Sequence, residues 1–274
     1  MLENQQFIIF FDCDGTLIQD DQSIGEKTAS YIKKLKDEGH KIVLASGRPP
    51  RAIIPYYEQL GLDTPIIAYN GLVLYDPETK KFVKEKRYRK ELIGEFFDRF
   101  PEYMFDNFQS ETDTELYFLV NDGEYENYFH KEGMNVHYGP FKNDLKDDVF
   151  SFVVNIKKEY LDKRQEMSDF VNTYDDIGMR FWYPNDNMGE LYYYSANKSS
   201  KMSIIAKRYG LDRAHIIAFG DGCNDIEMIK KAGISFAMKN ADPGLLESAD
   251  YVTEYDNNHE GIYHALKKIF EGNL

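Results

Sequence analysis

Two acidic clusters each follow directly on an apolar run. The first is Asp12-Cys13-Asp14-Gly15-Thr16, placed immediately after Phe-Ile-Ile-Phe-Phe. Two carboxylates one residue apart repel each other, so keeping both beside an apolar strand costs energy unless a cation joins them. Hard oxygen donors point to Mg²⁺ as that cation. Gly15 permits a sharp exit from the strand, and Thr16 can hydrogen-bond the departing turn. A polar turn with an incidental acid pair is the plainer alternative. The second cluster, Gly220-Asp221-Gly222-Cys223-Asn224-Asp225, follows Ile-Ile-Ala-Phe and opens a helix. Asn224 or Asp225 could cap that helix, but Asp221 stands before the cap and is not needed for it. Two acid-rich loops at strand ends make a shared metal site the better reading of both.

Two further places could handle an anion. Ser46-Gly47-Arg48 ends another apolar run, and a hydroxyl beside backbone N–H groups at a strand-to-helix turn can hold a phosphate oxygen. A simple capping serine is the alternative. Lys198 stands just before a helix, and a lysine near a helix start is not favoured by the helix dipole, so its placement asks for another reason. Lys201 is a nearby competitor, most lysines are simply solvated, and only the constellation of groups singles out Lys198. Carboxylates, a hydroxyl and a lysine together suit phosphoryl transfer, which asks for positioning and for neutralisation of charge on the equatorial oxygens.

The elements that would position these groups can be read from periodicity. Residues 6–12, 41–46 and 65–69 read as buried strands, with helices over 25–40 and 51–60; Ala29, Ile32 and Leu35 mark the inner face of the first. Apolar strands separated by helices predict a parallel sheet covered on both faces. Residues 72–88 predict a β-hairpin. From there to residue 194 the strands alternate polar with aromatic, at 115–120, 149–156 and 180–183. Helices are predicted near 90–100, 123–132 and 159–174. The parallel pattern returns with a helix at 200–209, a strand at 215–219, a helix at 225–232, short strands at 236–238 and 251–253, and a closing helix at 262–270. The expected fold is α/β: a Rossmann-like parallel-sheet core over 1–82 and 195–274, interrupted by an α+β domain over 83–194. Open sheets of this kind bind ligands beyond the carboxyl ends of their strands, where three of the four places fall.

Composition narrows the function classes. The 274 residues suffice for two cored domains, and no stretch is apolar enough to span a bilayer. A formal net charge of −14 with no block of Lys and Arg speaks against nucleic acid as a partner. It does not speak against phosphate, because a bound divalent ion can reverse the local sign. The two cysteines, Cys13 and Cys223, exclude a disulfide framework and fit a reducing compartment. Both read as small buried packing residues. The N-terminus carries no basic segment followed by an apolar one, so no secretory signal is read and a cytoplasmic place is expected. Aromatic triplets at 181–183 and 192–194 alternate faces and cannot all line one pocket.

In these motifs, along essentially its whole length, the chain resembles the haloacid dehalogenase-like phosphatases. Asp12-Cys13-Asp14-Gly15-Thr16 matches the family's Asp-x-Asp-Gly-Thr, Ser46 its hydroxyl after the second strand, Lys198 its lysine, and Gly220-Asp221 with Asn224-Asp225 its second acidic motif. Ala45-Ser46-Gly47-Arg48, Tyr69-Asn70-Gly71 and Glu260-Gly261 resemble the Cof-type subfamily, whose large α/β cap is inserted between the second and third motifs. Lys198-Ser199 departs from the family's usual Lys-Gly. The resemblance implies Asp12 as nucleophile and Asp14 as acid, then base. It implies Mg²⁺ on Asp12, Asp221 and the Asp14 backbone carbonyl, with Asp225 behind them. Ser46, Gly47, Arg48, Lys198, Asn70 and Asn224 would contact the substrate or its phosphate. The expected substrate is a small phosphomonoester: a sugar phosphate, a nucleotide or a phosphorylated cofactor. A phosphomutase or phosphotransferase using the same aspartyl phosphate is the near alternative, and a non-catalytic phospho-ligand-binding protein the distant one. No oligomeric state can be read from the sequence.

Overall fold

The computed structural model describes residues 5–141, 145–182 and 187–272. The chain forms two compact units, one of residues 1–84 and 197–274 and the other of residues 85–196.

The first unit begins with β1 (Ile8–Phe11), all four of whose residues are fully buried. A loop leads to α1 (Glu26–Asp37), which buries Ala29, Ile32 and Leu35. Then follow β2 (Lys41–Leu44), α2 (Pro50–Leu60), β3 (Ile66–Ala68) and the hairpin of β4 (Val73–Asp76) and β5 (Lys81–Lys84). Proline at the first position of α2 suits a helix start, since its missing N–H would be unpaired there anyway. Gly61 closes that helix in the left-handed conformation.

The inserted unit contains α3 (Lys90–Arg99), β6 (Phe105–Glu111), β7 (Glu115–Phe118), the single turn α4 (Gly123–Glu126), β8 (Asn135–Tyr138), β9 (Ser151–Ile156), α5 (Arg164–Val171), β10 (Ile177–Phe181) and β11 (Met188–Tyr193). Its six strands order as β10-β11-β9-β6-β7-β8 and are antiparallel except for β7 and β8. Phe96 and Phe97 of α3 pack against Phe108 and Phe152 on one face. Leu116, Phe118, Val153 and Met188 cluster with Tyr125, and Trp182 packs against that cluster.

Three expectations need correction here. The helix predicted over 123–132 is only one turn, because Asn127 to His130 offer no periodic apolar face. Strand β6, the centre of this sheet, was not predicted. Its buried Asn107, Gln109, Ser110 and Glu111 hide the apolar alternation that marks a strand. The expected solvated face is also overstated, since Gln109 and Glu111 are buried. Tyr183 lies outside the described residues.

The chain then returns with α6 (Lys198–Arg208), β12 (Ile216–Gly220), α7 (Ile226–Lys231), β13 (Ile234–Ala237), α8 (Pro243–Leu246), β14 (Tyr251–Val252) and α9 (Gly261–Phe270). The parallel sheet has the order β14-β13-β12-β1-β2. Its register puts Phe11 beside Phe219, Phe219 beside Phe236, and Phe236 beside Tyr251. The four rings stack in a row at centroid spacings of 5.2, 4.9 and 5.2 Å. Such pairs add about 0.5–1.5 kcal/mol each beyond burial. The row fixes the strand ends at one level, so the residues that follow emerge side by side. Among the described residues no helix is long and apolar enough to cross a membrane.

Candidate active site

Asp12 is the first residue past β1, and its N–H continues the sheet ladder to Phe219 O at 3.0 Å. Its carboxylate is buried. Asp221 follows β12 by one residue, and Gly220 has no side chain because Asp225 folds back against it: a Cβ there would stand 2.6 Å from Asp225 Cβ. Gly15, at φ +72°, lies directly against the Asp221 carboxylate, so the turn after Asp14 can pass only as glycine.

Lys198 joins these loops. Asn197 caps α6, its side chain accepting from Ser200 N while Ser200 Oγ receives Asn197 N–H. That cap sets the first turn of the helix and sends Lys198 inward, wholly buried. The ammonium donates to Asp12 Oδ1 at 2.5 Å and to Asp225 Oδ1 at 2.7 Å. Gly71, at φ +96°, packs on the Asn197 backbone, so the 69–71 turn buttresses the same cap. Lys201 is also buried, and Lys198 is the lysine bonded to Asp12 and Asp225.

A helix cap was one reading open to Asp225, with support of the metal loop as what the resemblance implies. Its side chain makes no such bond to α7. Instead Oδ2 accepts from Asp221 N and Gly222 N at 3.1 and 3.2 Å, while Oδ1 holds Lys198. Both of its oxygens are therefore engaged. Thr16 Oγ1 donates to Asp221 Oδ1 at 2.8 Å, tying the two acidic loops together, a longer-range bond than the expected one to its own turn.

One oxygen from each of Asp12, Asp221 and Asp225 lies within 4.8 Å of the others. Three carboxylates share a single ammonium, which leaves the cluster short of positive charge. Burial, then the nearby Asp225, pushes the Asp12 carboxyl well above its usual range, against the pull of Lys198. The same two causes raise Asp221 to about 7. Burial alone would lower the Lys198 pKa, but Asp12 and Asp225 outweigh it and raise it. A buried, oxygen-only, anion-rich cluster fits a hard divalent cation.

Asp14 lies apart from this cluster, with its carboxylate more than half exposed. It is gripped by Arg48, whose Nε donates to Oδ2 at 2.8 Å and Nη2 to Oδ1 at 2.5 Å. Ser46 is fully buried between strands, its N–H bonding Ile67 O. Its hydroxyl accepts from Arg48 N at 3.0 Å rather than capping α2, whose N-cap is Pro49. Asn70 takes a left-handed conformation, φ +54°, held by its N–H to Ser46 O. Its amide oxygen accepts from Asn224 Nδ2 at 2.8 Å, and its side chain borders Gly47. The structure thus brings all ten predicted residues into two adjoining groups: Asp12, Lys198, Asp221 and Asp225 in one, and Asp14, Arg48, Ser46, Gly47, Asn70 and Asn224 around it.

The cysteines need a correction. Cys13 is buried, and burial followed by Asp12 pushes its thiol up, but Cys223 is exposed. Neither forms a disulfide. Sequence reasoning also passed over Gln22, whose amide oxygen accepts from Arg48 Nη2 at 2.6 Å. A glutamine in a polar turn carries no signal that marks it.

Comparison with known proteins identifies the family. The family model described as haloacid dehalogenase-like hydrolase matches residues 9–266. The 5-amino-6-(5-phospho-D-ribitylamino)uracil phosphatase YitU of Bacillus subtilis is 31% identical over 273 residues, covering 98% of this chain and 99% of that protein. The phosphatase YbjI of Escherichia coli, named for the same substrate, is 24% identical, with 96% of each chain covered. A haloacid dehalogenase-like hydrolase from Bacteroides thetaiotaomicron superposes with a TM-score of 0.80 at 24% identity, over 97% of this chain and all of that one, and shares the fold. The chain belongs to the haloacid dehalogenase-like hydrolases, as a phosphatase of the Cof type.

Proposed function

We propose that this enzyme hydrolyses a small phosphomonoester, with Mg²⁺, through an aspartyl phosphate on Asp12. The observation that carries the reading is the buried Asp12 carboxylate at the end of β1, bonded by Lys198 and grouped with Asp221 and Asp225. Asp12, Asp221 and the Asp14 backbone would hold the cation, and Asp225, with both oxygens already engaged, would stand behind them. When bound, Mg²⁺ would neutralise the excess negative charge and keep Asp12 ionised.

A carboxylate oxygen of Asp12 attacks phosphorus while the bond to the leaving oxygen breaks. Asp14 delivers a proton to that oxygen and ends the half-reaction as a carboxylate. Asp14 then takes a proton from water as the water oxygen bonds to phosphorus. The bond to Asp12 breaks, inorganic phosphate leaves, and Asp14 is protonated again. Lys198 and the Ser46 hydroxyl would bind the equatorial oxygens, with Gly47, Asn70 and Asn224 shaping the same pocket and Arg48 serving Asp14 and the phosphate. Division of labour between the acids follows from their surroundings: Asp12 is enclosed by charge partners, whereas Asp14 stands at the exposed edge.

The inserted unit is assigned the choice of leaving group, because it interrupts the chain between the Ser46 and Lys198 motifs. YitU and YbjI are named as 5-amino-6-(5-phospho-D-ribitylamino)uracil phosphatases, so that compound belongs in the test beside sugar phosphates and nucleotides. With both cysteines outside disulfides, the reducing cytoplasm is the setting we propose. Purified enzyme with Mg²⁺ should release inorganic phosphate from members of this panel, with water as acceptor, and Asp12→Asn should abolish release. Full activity in Asp12→Asn, or transfer of the phosphoryl group only to added alcohols, would overturn the proposal.

A further inference from the structure

We infer that Gln22 is a positioning residue for the proton-transfer step, acting through Arg48 on Asp14. The inference rests on the function proposed above and deepens it.

Arg48 holds both oxygens of the Asp14 carboxylate, and its guanidinium can only donate. Nη2 is shared between two acceptors, Asp14 Oδ1 at 2.5 Å and Gln22 Oε1 at 2.6 Å. Since arginine offers no acceptor, the glutamine must turn its oxygen, not its nitrogen, toward it. Gln22 is itself fixed with care for an exposed residue. Its backbone adopts φ +66°, a conformation costly for a side chain of this kind. Two bonds hold it there: Gln22 N to Gln19 O at 2.9 Å, and the Tyr56 hydroxyl to Gln22 O at 3.0 Å. The Tyr56 ring also lies 5.5 Å from the Arg48 guanidinium carbon. Gln22 and Tyr56 therefore form a cradle for the Arg48 guanidinium that grips Asp14.

The acid–base cycle explains why such a cradle is useful. A carboxylate accepts two strong bonds from arginine, but in a carboxyl that carries the transferable proton the hydroxyl oxygen is the weaker acceptor. One of the two bonds by which Arg48 holds Asp14 is then weakened. Without a second acceptor the guanidinium would be free to swing, and the remaining oxygen of Asp14 with it. Gln22 Oε1 supplies that acceptor, so the acid stays aimed when half its grip is weakened. Small misplacements of a proton donor cost large factors in rate.

The test compares substrates that differ in their need for the acid. An alkyl phosphate needs its leaving oxygen protonated, whereas p-nitrophenyl phosphate leaves as a stable anion. The readout is kcat/KM, which covers steps only up to phosphorylation of Asp12. In Gln22→Ala the ratio of kcat/KM for the best alkyl substrate to that for p-nitrophenyl phosphate should fall about tenfold, a fraction of what a general acid contributes. Tyr56→Phe should lower the ratio in the same direction by less, and Gln22→Glu, which keeps an acceptor oxygen, should restore much of it. An unchanged ratio in Gln22→Ala, whether both rates fall together or neither does, would overturn the inference. A wild-type protein that releases phosphate from no substrate would instead overturn the proposed function.

Discussion

On the proposed function, Mg²⁺ affinity should depend steeply on pH. Burial and the neighbouring Asp225 raise Asp221 to about 7, so near neutrality and below the metal-free protein holds a proton there. An oxygen that ligates a cation must give that proton up, so binding releases it. Below about pH 7 the apparent affinity then falls about tenfold per pH unit, or about a hundredfold between pH 7 and pH 5. Asp12, raised by the same surroundings, steepens the fall. The metal-free fold shows the reverse trend. A carboxyl whose folded pKa exceeds its unfolded value of 3.8 contributes most stability below 3.8, and that contribution is lost as pH rises toward about 7. Bound Mg²⁺ offsets this loss. With the cation in excess, a hundredfold tighter site corresponds to about 2.7 kcal/mol more stabilisation at pH 7 than at pH 5. Thermal unfolding with and without 10-fold steps of Mg²⁺, at pH 5, 6, 7 and 8, reads it directly. The Mg²⁺-induced rise in Tm should grow from pH 5 to 7 and then level, and Asp221→Asn should flatten the dependence. Equal Mg²⁺-induced shifts at pH 5 and pH 8 in the wild type would refute the reasoning.

Two other perturbations test structural supports of the site. Glu260 caps α1 from a distant part of the chain, its carboxylate accepting from Lys27 N, Thr28 N and the Thr28 hydroxyl, while the formal cap Gly25 offers no side chain; Glu260→Ala should cost about 1–2 kcal/mol in denaturant unfolding, the range for a lost N-cap, and an unchanged midpoint would contradict this. His40 accepts Phe7 N–H through Nδ1 at 3.0 Å, and burial lowers its pKa. Its contribution is complete above the unfolded value of 6.5 and is lost as pH falls below it, at up to about 1.4 kcal/mol per pH unit. His40→Gln should therefore show a flatter stability profile between pH 6.5 and 5, and a slope matching the wild type would count against it.

Legibility of the fold followed apolar content. The parallel strands are fully buried, so β1, β2 and β12 appear as apolar runs that end where the loops begin. In the inserted unit the strongest element of the sheet was silent. β6 pairs on both sides, yet it carries Asn107, Gln109, Ser110 and Glu111 in the interior. Those residues are tolerated because they are bonded. Asn107 alone takes N–H groups from Phe108, Leu119 and Val120 and donates to Val120 O. Partners twelve and thirteen residues away cannot be seen in a local pattern of hydrophobicity, which is why buried polar strands escape it.

The site was legible for a different reason. Asp12, Ser46 and Asp221 are marked because each follows an apolar run, and strand ends on a parallel sheet are brought together by topology alone. What topology does not specify is which partner each polar atom takes. Asp225 looks like a helix cap, but with Lys198 arriving from a helix 27 residues earlier it becomes the counter-charge that keeps a buried ammonium ionised beside Asp12. Asp14, two residues after Asp12, is handed instead to Arg48 and through it to Gln22. The two acids of the first motif thus differ less in their own chemistry than in their partners: one is bound to a lysine inside an anion-rich cluster, the other to an arginine at the solvent edge. Spacing locates such a pair, and only the tertiary hydrogen bonds divide its labour.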